Sequence, residues 1–324
     1  MVRTKTLLCY VSSSFISFCF CLSSTDAQQQ PDAQTIEAYE RLDKWKECIL
    51  DGIPDANINN AKLLPVRLVY KHNRSRAAAT GFPTRLTVGK DLGITEHETA
   101  AVFGWTTGDY RLLNPIARGL NTVEFDEYPF LPTKLTKVKC RLKREEVMPY
   151  IRVLSSALSK LPTLSCQQRL WRGHRRIISS SKVGSIVVMK GFTSVTRDRE
   201  NALEFTIKSN EGRSNKRTLI GILEHSNARA ISKLSARPNE MEVLFPMDTT
   251  FEVVDPPGDT ASDDRRAVLR AAELMQKQMP DAEIELVYVR EVDLKARQKE
   301  AKTKQPKHAM HKDTMNSPPI GEWE

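Results

Sequence analysis

The apolar periodicity of this chain changes at Pro162, and that change limits the folds open to it. Before Pro162 the apolar residues recur three or four positions apart, as on one face of a helix. This spacing predicts helices over about Thr35–Asp51, from Thr95 through Trp105, and over about Lys143–Leu161. After Pro162 the apolar residues come in short runs that are typical of strands. The pattern predicts an α+β fold, with a helical N-terminal part to about residue 162 and a strand-rich part after it.

The strand-rich part has few helices between its strands, which favours packed sheets of mixed and antiparallel strands over a doubly wound parallel sheet. No GxGxxG or GxxxxGK[ST] motif occurs, which argues against Rossmann and P-loop sites. The predicted strands are Leu170–Gly173, Ser185–Met189, Leu219–Leu223, Glu242–Phe245, Phe251–Val254 and Ile284–Val289, with Gly191–Thr196 as a strand or turn. The predicted helices are Arg197–Phe205 and Arg265–Met279.

The first 27 residues have the pattern of a secretory signal peptide. A short basic segment, Met1–Lys5, precedes an uncharged apolar run, Leu7–Leu22, and small residues follow up to Ala27. The run is short for a membrane span, which needs about 20 residues. We therefore expect a secreted protein without stable membrane insertion, with one domain over residues 28–294 and a basic, disordered tail over residues 295–324. A retained signal anchor is the alternative.

Charge and cysteine content exclude several kinds of site. The net charge of +9 is spread over the chain and is typical of a solvated surface, so we expect no nucleic-acid partner. After the signal region, Cys48, Cys140 and Cys166 allow at most one intrachain disulfide, whose pairing stays open. Their spacing does not fit a zinc site, and we expect no metal. Asn73 begins a glycosylation sequon, and a monomer is expected.

A pair of glutamates lies in the segment Arg237–Pro246, which is predicted to be a loop that leads into a strand. Side chains two positions apart on a strand point the same way, so Glu240 and Glu242 are expected to share a face. Repulsion between them would raise the pKa of one. In an enzyme, one carboxylate could act as a base while its neighbour stabilises a positive charge. Two solvated glutamates on a strand are the alternative interpretation.

Three short motifs, taken in order along the chain, resemble one known family. Arg172-Gly173 ends a predicted strand, Phe192-Thr193-Ser194-Val195-Thr196 follows a buried one, and Glu240-Met241-Glu242 opens another. This order resembles the arginine-specific mono-ADP-ribosyltransferases, which carry an Arg–Ser–Glu signature. The resemblance implies the fold of that family, in which two packed sheets form a cleft for NAD.

The resemblance extends over about Thr35–Arg290 and has one departure. The middle motif of the family usually has Ser-Thr-Ser, whereas this chain has Ser194-Val195-Thr196. Val195 is expected to point away from the site, and Thr196 keeps a hydroxyl where the family has serine.

For the catalytic residues, the resemblance implies transfer of ADP-ribose from NAD to an arginine side chain of an acceptor protein. Glu242 would stabilise the positive charge that develops on the ribose when nicotinamide leaves. Ser194 would hold Glu242 by a hydrogen bond, and Glu240 would orient the guanidinium of the acceptor and help to remove its proton.

For NAD binding, the resemblance implies that Arg172 contacts the diphosphate and that the backbone at Gly173 approaches the nicotinamide amide. Phe192 would pack near the nicotinamide, although a core aromatic is equally expected. NADP remains an alternative co-substrate to NAD.

Two other functions remain open for the same residues. In a NAD glycohydrolase, water would replace the protein acceptor on the same fold. A secreted module that binds NAD without turnover is the second, and the presence of Arg172, Ser194, Glu240 and Glu242 argues against it. The sequence leaves open whether the target is a protein of the same organism or of a host, as for a toxin.

Overall fold

The structure is a computed structural model that describes residues 32–34, 82–125, 140–174, 182–207, 215–258, 260–277, 279, 281–294 and 320–322. The predicted signal peptide, the helix predicted over about Thr35–Asp51, Cys48 and the sequon at Asn73 lie outside the described residues.

Helices make up most of the described N-terminal part. Their bounds are α1 Phe82–Asp91, α2 Glu96–Gly104, α3 Tyr110–Ala117 and α4 Arg144–Lys160, and a π-helical turn, Trp105–Asp109, joins α2 to α3. Inside this turn Gly108 has a φ of 125°, which interrupts the helical path before α3 and which glycine adopts without strain. The helix predicted from Thr95 through Trp105 is thus confirmed over α2.

Helix α4 confirms the helix predicted over about Lys143–Leu161. Its apolar residues Val147, Ile151, Leu154 and Leu158 are buried, and Pro149 lies inside the helix, past the first turn, where it removes one intrahelical hydrogen bond. Buried residues of α1 to α4 form one apolar cluster that also includes side chains from the strand-rich part. The helical part therefore packs directly against the strands.

Three elements of the N-terminal part are among those that were not predicted from the sequence. Helix α1 is one, and the others are β1, Thr122–Phe125, and β2, Cys140–Lys143, which pair as an antiparallel two-stranded sheet. Each of these strands is only four residues long, too short for a clear alternating pattern.

The remaining strands form one mixed nine-stranded sheet in the order β11-β4-β9-β10-β6-β3-β5-β8-β7. Every strand predicted from the sequence is present, with ends shifted by a few residues. The bounds are β3 Leu170–His174, β4 Ile186–Met189, β5 Thr193–Thr196, β6 Lys216–Glu224, β7 Arg229–Ala230, β8 Glu242–Phe245, β9 Thr249–Val254, β10 Glu283–Glu291 and β11 Ile320–Glu322, and two helices, α5 Arg199–Ile207 and α6 Thr260–Gln276, accompany them.

The sheet folds over on itself at the junction of β3 and β5. These two strands are joined by a single residue pair, Trp171 with Thr196, whereas β3 pairs with β6 over five residues. The rings of Phe245 on β8 and Phe251 on β9 lie 5.2 Å apart, although four strands separate β8 from β9 in the sheet. The two halves of the sheet therefore pack face to face around a shared apolar core, which confirms the predicted α+β fold with packed sheets.

Strand β11 lies in the segment predicted to be a disordered tail. Ile320–Glu322 pairs in parallel with β4, so the prediction differs from the structure for these three residues. Cys166 is a free cysteine. No helix in the described part of the chain is long and apolar enough to span a membrane.

Glu98 joins α2 to α4 through a buried carboxylate. It forms a capping box with Thr95, because Thr95 Oγ1 accepts from the Glu98 N–H and Glu98 Oε2 accepts from the Thr95 N–H. Glu98 Oε1 accepts from Ser156 Oγ at 2.5 Å and pairs with Lys160 Nζ at 2.7 Å. Burial acts to raise the pKa of Glu98, but the bonds from Lys160, Ser156 and Thr95 outweigh it and lower the pKa below its usual value.

Replacing Glu98 with glutamine is expected to lower the free energy of unfolding by about 3–5 kcal/mol at neutral pH, because Lys160 loses its buried partner. Since the folded-state pKa of Glu98 is lowered, its stabilisation is complete above the usual glutamate pKa of about 4.3 and is lost as the pH falls through the folded-state value. Urea unfolding of both proteins from pH 7 to pH 3 measures this difference.

The control is Glu124→Gln, which removes an exposed carboxylate paired with Arg141 at 3.2 Å. Exposed pairs contribute about 0–1 kcal/mol, so this variant should unfold like wild type. A Glu98→Gln difference that is the same at pH 3 and pH 7 would contradict the assignment.

Candidate active site

Three neighbouring strands bring the sequence motifs together. Arg172 lies on β3, Ser194 on β5 and Glu242 at the start of β8, and β5 lies between β3 and β8. Thr196 of β5 is paired across the sheet with Trp171 on one side and with Glu242 on the other. Residues up to 70 positions apart in the sequence therefore meet where the two halves of the sheet diverge.

Glu242 is a buried carboxylate with two hydrogen-bond donors on one oxygen. It is 7% exposed, and its Oε1 accepts from Ser194 Oγ at 2.6 Å and from Trp105 Nε1 at 3.0 Å. The predicted bond between Ser194 and Glu242 is thus present. Both bonds end on Oε1, so Oε2 accepts no hydrogen bond from the described residues. This oxygen is available to a ligand.

The pKa of Glu242 is raised above its usual value. Burial is the largest cause, and the negative charge of Glu240 adds to it, as the sequence predicted for a glutamate pair. The hydrogen bonds from Ser194 and Trp105 and the positive charge of Arg237 act in the opposite direction. These donors keep the carboxylate more acidic than burial alone would allow.

Arg172 provides a fixed positive charge beside this carboxylate. It is half-buried, and its Nη1 donates to the Ser194 carbonyl at 2.5 Å. Burial, together with repulsion from Arg118 at the end of α3, lowers the pKa of Arg172 to about 10. Arg172 therefore stays protonated at neutral pH. Two arginines close to each other provide a cationic surface suited to phosphate groups.

Glu240 lies in a 3-10 turn and not on the strand. The turn spans Pro238–Glu240, β8 begins only at Glu242, and Met241 between them has a left-handed φ of 47°. The prediction that Glu240 and Glu242 share a strand face is therefore wrong. Proline favours the first position of such a turn, and the left-handed residue reverses the chain before the strand starts.

The two carboxylates consequently lie in different environments. Glu242 is buried, whereas the side chain of Glu240 is 47% exposed and its Oε1 pairs with Arg237 Nη1 at 3.2 Å. The Thr196 hydroxyl donates to the Glu240 carbonyl at 2.8 Å, and Asn201 Nδ2 donates to the Asn239 carbonyl at 3.1 Å. The Thr196 hydroxyl, which a serine at this position would also have, therefore holds the turn that carries Glu240.

A family model for ADP-ribosyltransferase exoenzymes matches residues 75–277, more than half of the chain. The chain belongs to the ADP-ribosyltransferase exoenzyme family. Its matched segment contains all three motifs, from Arg172 to Glu242. A search of curated proteins finds no significant match.

Solved structures with a similar fold include other ADP-ribosyltransferases. Vis from Vibrio splendidus, in complex with agmatine, has 20% identity and a TM-score of 0.42, over 70% of this chain and 91% of that chain. HopU1 of Pseudomonas syringae has 16% identity and a TM-score of 0.45, over 82% of this chain and 99% of that chain. Exoenzyme S of Pseudomonas aeruginosa, in complex with human 14-3-3 beta and carba-NAD, has 14% identity and a TM-score of 0.42, over 79% of this chain and 94% of that chain. None of these similarities identifies the residue type to which this chain would transfer ADP-ribose.

In this ADP-ribosyltransferase, Gly173 and Phe192 have clear packing roles. A Cβ on Gly173 would lie 2.3 Å from the Ala202 carbonyl oxygen, so only glycine lets α5 approach β3 this closely. Phe192 is 2% exposed, and its ring packs edge-on against Trp105 at 5.5 Å. Phe192 is thus a core aromatic, one of the two expectations, and contact of either residue with NAD stays a prediction.

Trp105 is a site residue that the sequence did not identify. The sequence indicated only that Trp105 belongs to a predicted helix, and nothing in the sequence distinguishes a tryptophan whose N–H meets a carboxylate. The π-helical turn that starts at Trp105 directs its indole at Glu242 across 137 positions of sequence. Such turns occur often at functional sites. Across the residues that the structure describes, no group of three His, Cys, Asp or Glu could hold a metal ion.

Trp105→Phe is expected to raise the pKa of Glu242 further, because the indole N–H stabilises the ionised carboxylate. The acidic limb of kcat/KM for nicotinamide release from NAD should move to higher pH. Loss of one hydrogen bond to a charged group should lower kcat/KM at neutral pH by about 10- to 100-fold.

Tyr110→Phe is the matched control, since its ring packs against Trp105 at 5.9 Å without a hydrogen bond to Glu242. This control should keep the wild-type pH profile. If Trp105→Phe lowers activity equally at every pH, the tryptophan acts through packing alone.

Proposed function

We propose that this enzyme transfers ADP-ribose from NAD to arginine side chains of an acceptor protein and releases nicotinamide. The observation that carries the proposal is the pair of carboxylates on the two sides of Met241, Glu240 in the 3-10 turn and Glu242 at the start of β8. Glu242 is buried and fixed, whereas Glu240 is about half exposed and already pairs with a guanidinium, that of Arg237. One carboxylate suits the ribose and the other suits an arginine.

Glu242 suits stabilisation of the ribose as nicotinamide leaves. Cleavage of a glycosidic bond develops positive charge on the sugar, and a nearby carboxylate stabilises that charge. Ser194 and Trp105 both hold Oε1 in place, so the carboxylate needs little reorganisation. Oε2 can accept a hydrogen bond from a ribose hydroxyl.

Arg172 and Arg118 suit the diphosphate of NAD. Arg172 is held by the Ser194 carbonyl, the backbone of the residue whose hydroxyl holds Glu242. The same residue thus links the cation for the diphosphate to the carboxylate for the ribose. A guanidinium binds phosphate oxygens through two parallel hydrogen bonds, which fixes orientation as well as affinity.

Glu240 suits the acceptor guanidinium. Its exposure lets a side chain from another protein reach it, and its pairing with Arg237 supports a guanidinium as a partner at this position. An arginine attacks poorly while it is protonated, so a carboxylate that orients it and takes up a proton assists the transfer. This role needs an exposed group, which Glu242 is not.

Glu242→Gln is expected to reduce both nicotinamide release and labelling of agmatine by about 100-fold or more, because the charge on the ribose loses its partner. Glu240→Gln should reduce agmatine labelling by about 10- to 100-fold and keep nicotinamide release, because only the acceptor loses a charged partner. Labelled NAD with agmatine, a small guanidinium acceptor, gives both rates in one reaction.

The matched control is Glu283→Gln, which removes an exposed glutamate paired with Lys216 at 3.2 Å, the same distance as in the pair of Glu240 with Arg237. Both of its rates should equal those of wild type. Nicotinamide release by wild type without labelled agmatine would instead favour the NAD glycohydrolase.

Thr196→Val should raise the KM for agmatine by about 2- to 10-fold, since the 3-10 turn loses the hydrogen bond to the Glu240 carbonyl. Nicotinamide release should persist, because other residues hold Glu242. Thr196→Ser keeps the hydroxyl and should retain the wild-type KM. Equal KM values for the valine and serine variants would contradict this role.

A further inference from the structure

The segment that leads into the 3-10 turn of Glu240 packs against the helices of the N-terminal part. It follows β7 and ends at Arg237, the residue before the turn. Ile231 and Leu234 of this segment are fully buried in the apolar cluster that α1 to α4 form, and Ala236 packs against the same cluster. The exposed carboxylate of Glu240 is therefore carried by a segment that is anchored on the helical part.

Two polar side chains of the helical part hold this segment by its backbone. Thr106 Oγ1 accepts from the Ala236 N–H at 3.0 Å. Arg85 on α1 donates from Nε to the Ser235 carbonyl at 3.1 Å. Thr106 is buried, and its hydroxyl also donates to the Phe103 carbonyl at 2.7 Å. Because the hydroxyl donates to one backbone group and accepts from another, its direction is fixed.

Thr106 lies directly after Trp105, and the two neighbours hold different parts of the site. Trp105 Nε1 donates to the buried carboxylate of Glu242 at 3.0 Å. Thr106 holds Ala236, four positions before Glu240. A π-helical turn of five residues thus contacts both the buried carboxylate and the segment that carries the exposed one. The position of one carboxylate relative to the other depends on this turn.

We propose that Thr106 is a positioning residue that sets the place of Glu240 relative to Glu242, and thereby the share of cleaved NAD that goes to a guanidinium acceptor and not to water. This inference rests on the proposed transfer to arginine. It adds that the helical part of the chain controls how well an acceptor is used, through a residue that contacts neither NAD nor the acceptor.

The guanidinium and water compete for C1′ of the ribose. In both reactions the bond from C1′ to the nicotinamide nitrogen breaks, and its electron pair leaves with neutral nicotinamide. In transfer, a guanidinium nitrogen bonds to C1′ and one guanidinium proton passes to Glu240. In hydrolysis, the oxygen of water bonds to C1′ and its proton passes to the solvent, which gives free ADP-ribose.

Transfer depends more strongly than hydrolysis on where Glu240 lies. A displacement of about 1 Å can lower the rate of a positioned reactant by about 100-fold. The guanidinium is positioned by Glu240, whereas water reaches C1′ without that carboxylate. A shift of the segment before Glu240 should therefore lower transfer and leave hydrolysis in place.

Thr99 on α2 provides a matched control for Thr106. It is also buried, and its Oγ1 donates to the Thr95 carbonyl at 2.9 Å, much as Thr106 donates to Phe103. The bond of Thr99 stays at the start of its own helix, whereas Thr106 also reaches Ala236. Valine at either position removes the hydroxyl and nearly keeps the shape of the side chain.

The experiment incubates the full chain with labelled NAD and a sub-saturating concentration of agmatine, and measures labelled agmatine and free ADP-ribose in one reaction. Thr106→Val should lower the ratio of labelled agmatine to ADP-ribose by about 2- to 10-fold, through a higher KM for agmatine. Arg85→Met, which removes the second bond to the segment, should lower the ratio in the same direction. Thr106→Ser and Thr99→Val should keep the wild-type ratio. The ratio does not depend on the folded fraction, so a loss of stability alone leaves it unchanged.

The two products separate this inference from the proposed function. If Thr106→Val lowers both products in the same proportion, the threonine supports the fold alone, and the inference is overturned while transfer to arginine stands. A shift of the acidic limb of nicotinamide release in Thr106→Val would also overturn it, because the residue would then act through Trp105 and Glu242. If wild type releases ADP-ribose and labels no agmatine, transfer to arginine itself fails, and the inference fails with it.

Discussion

The site depends on the hydrogen bonds that hold the buried carboxylate of Glu242. A buried charge is costly unless hydrogen bonds replace the water it has lost. Glu242 receives those bonds from two directions, from Ser194 on the neighbouring strand and from Trp105 in the helical part. The helical part is therefore more than a support for the sheet, because it completes the environment in which the buried carboxylate of Glu242 can stay ionised.

Much of the fold and part of the site follow from local signals in the sequence. The stripe of α4, the capping box of Thr95 and Glu98, and the short β-branched runs of the sheet each depend on residues close in sequence, so they are readable without a structure. Arg172, Ser194 and Glu242 were assigned to one site through a family resemblance. Their strands are indeed neighbours in the sheet.

The remaining features depend on contacts that no local pattern encodes. Strand alternation assigned Glu240 to the face of Glu242, but the left-handed conformation of Met241 and a 3-10 turn override it. The bond from Trp105 to Glu242 joins distant parts of the chain, as does the close approach of α5 that requires glycine at position 173. Tertiary packing decides these positions. The sequence alone identified neither Trp105 as a donor to Glu242 nor the 3-10 turn that carries Glu240.

Met241 marks a boundary with an evolutionary consequence. On one side Glu242 is fixed by residues of other elements, and on the other Glu240 belongs to a turn held mainly through its backbone carbonyls. Substitutions within the turn can redirect the exposed carboxylate while the buried one keeps its partners. On the roles proposed for Glu240 and Glu242, such substitutions would change the preference for one target over another without loss of the ability to cleave NAD.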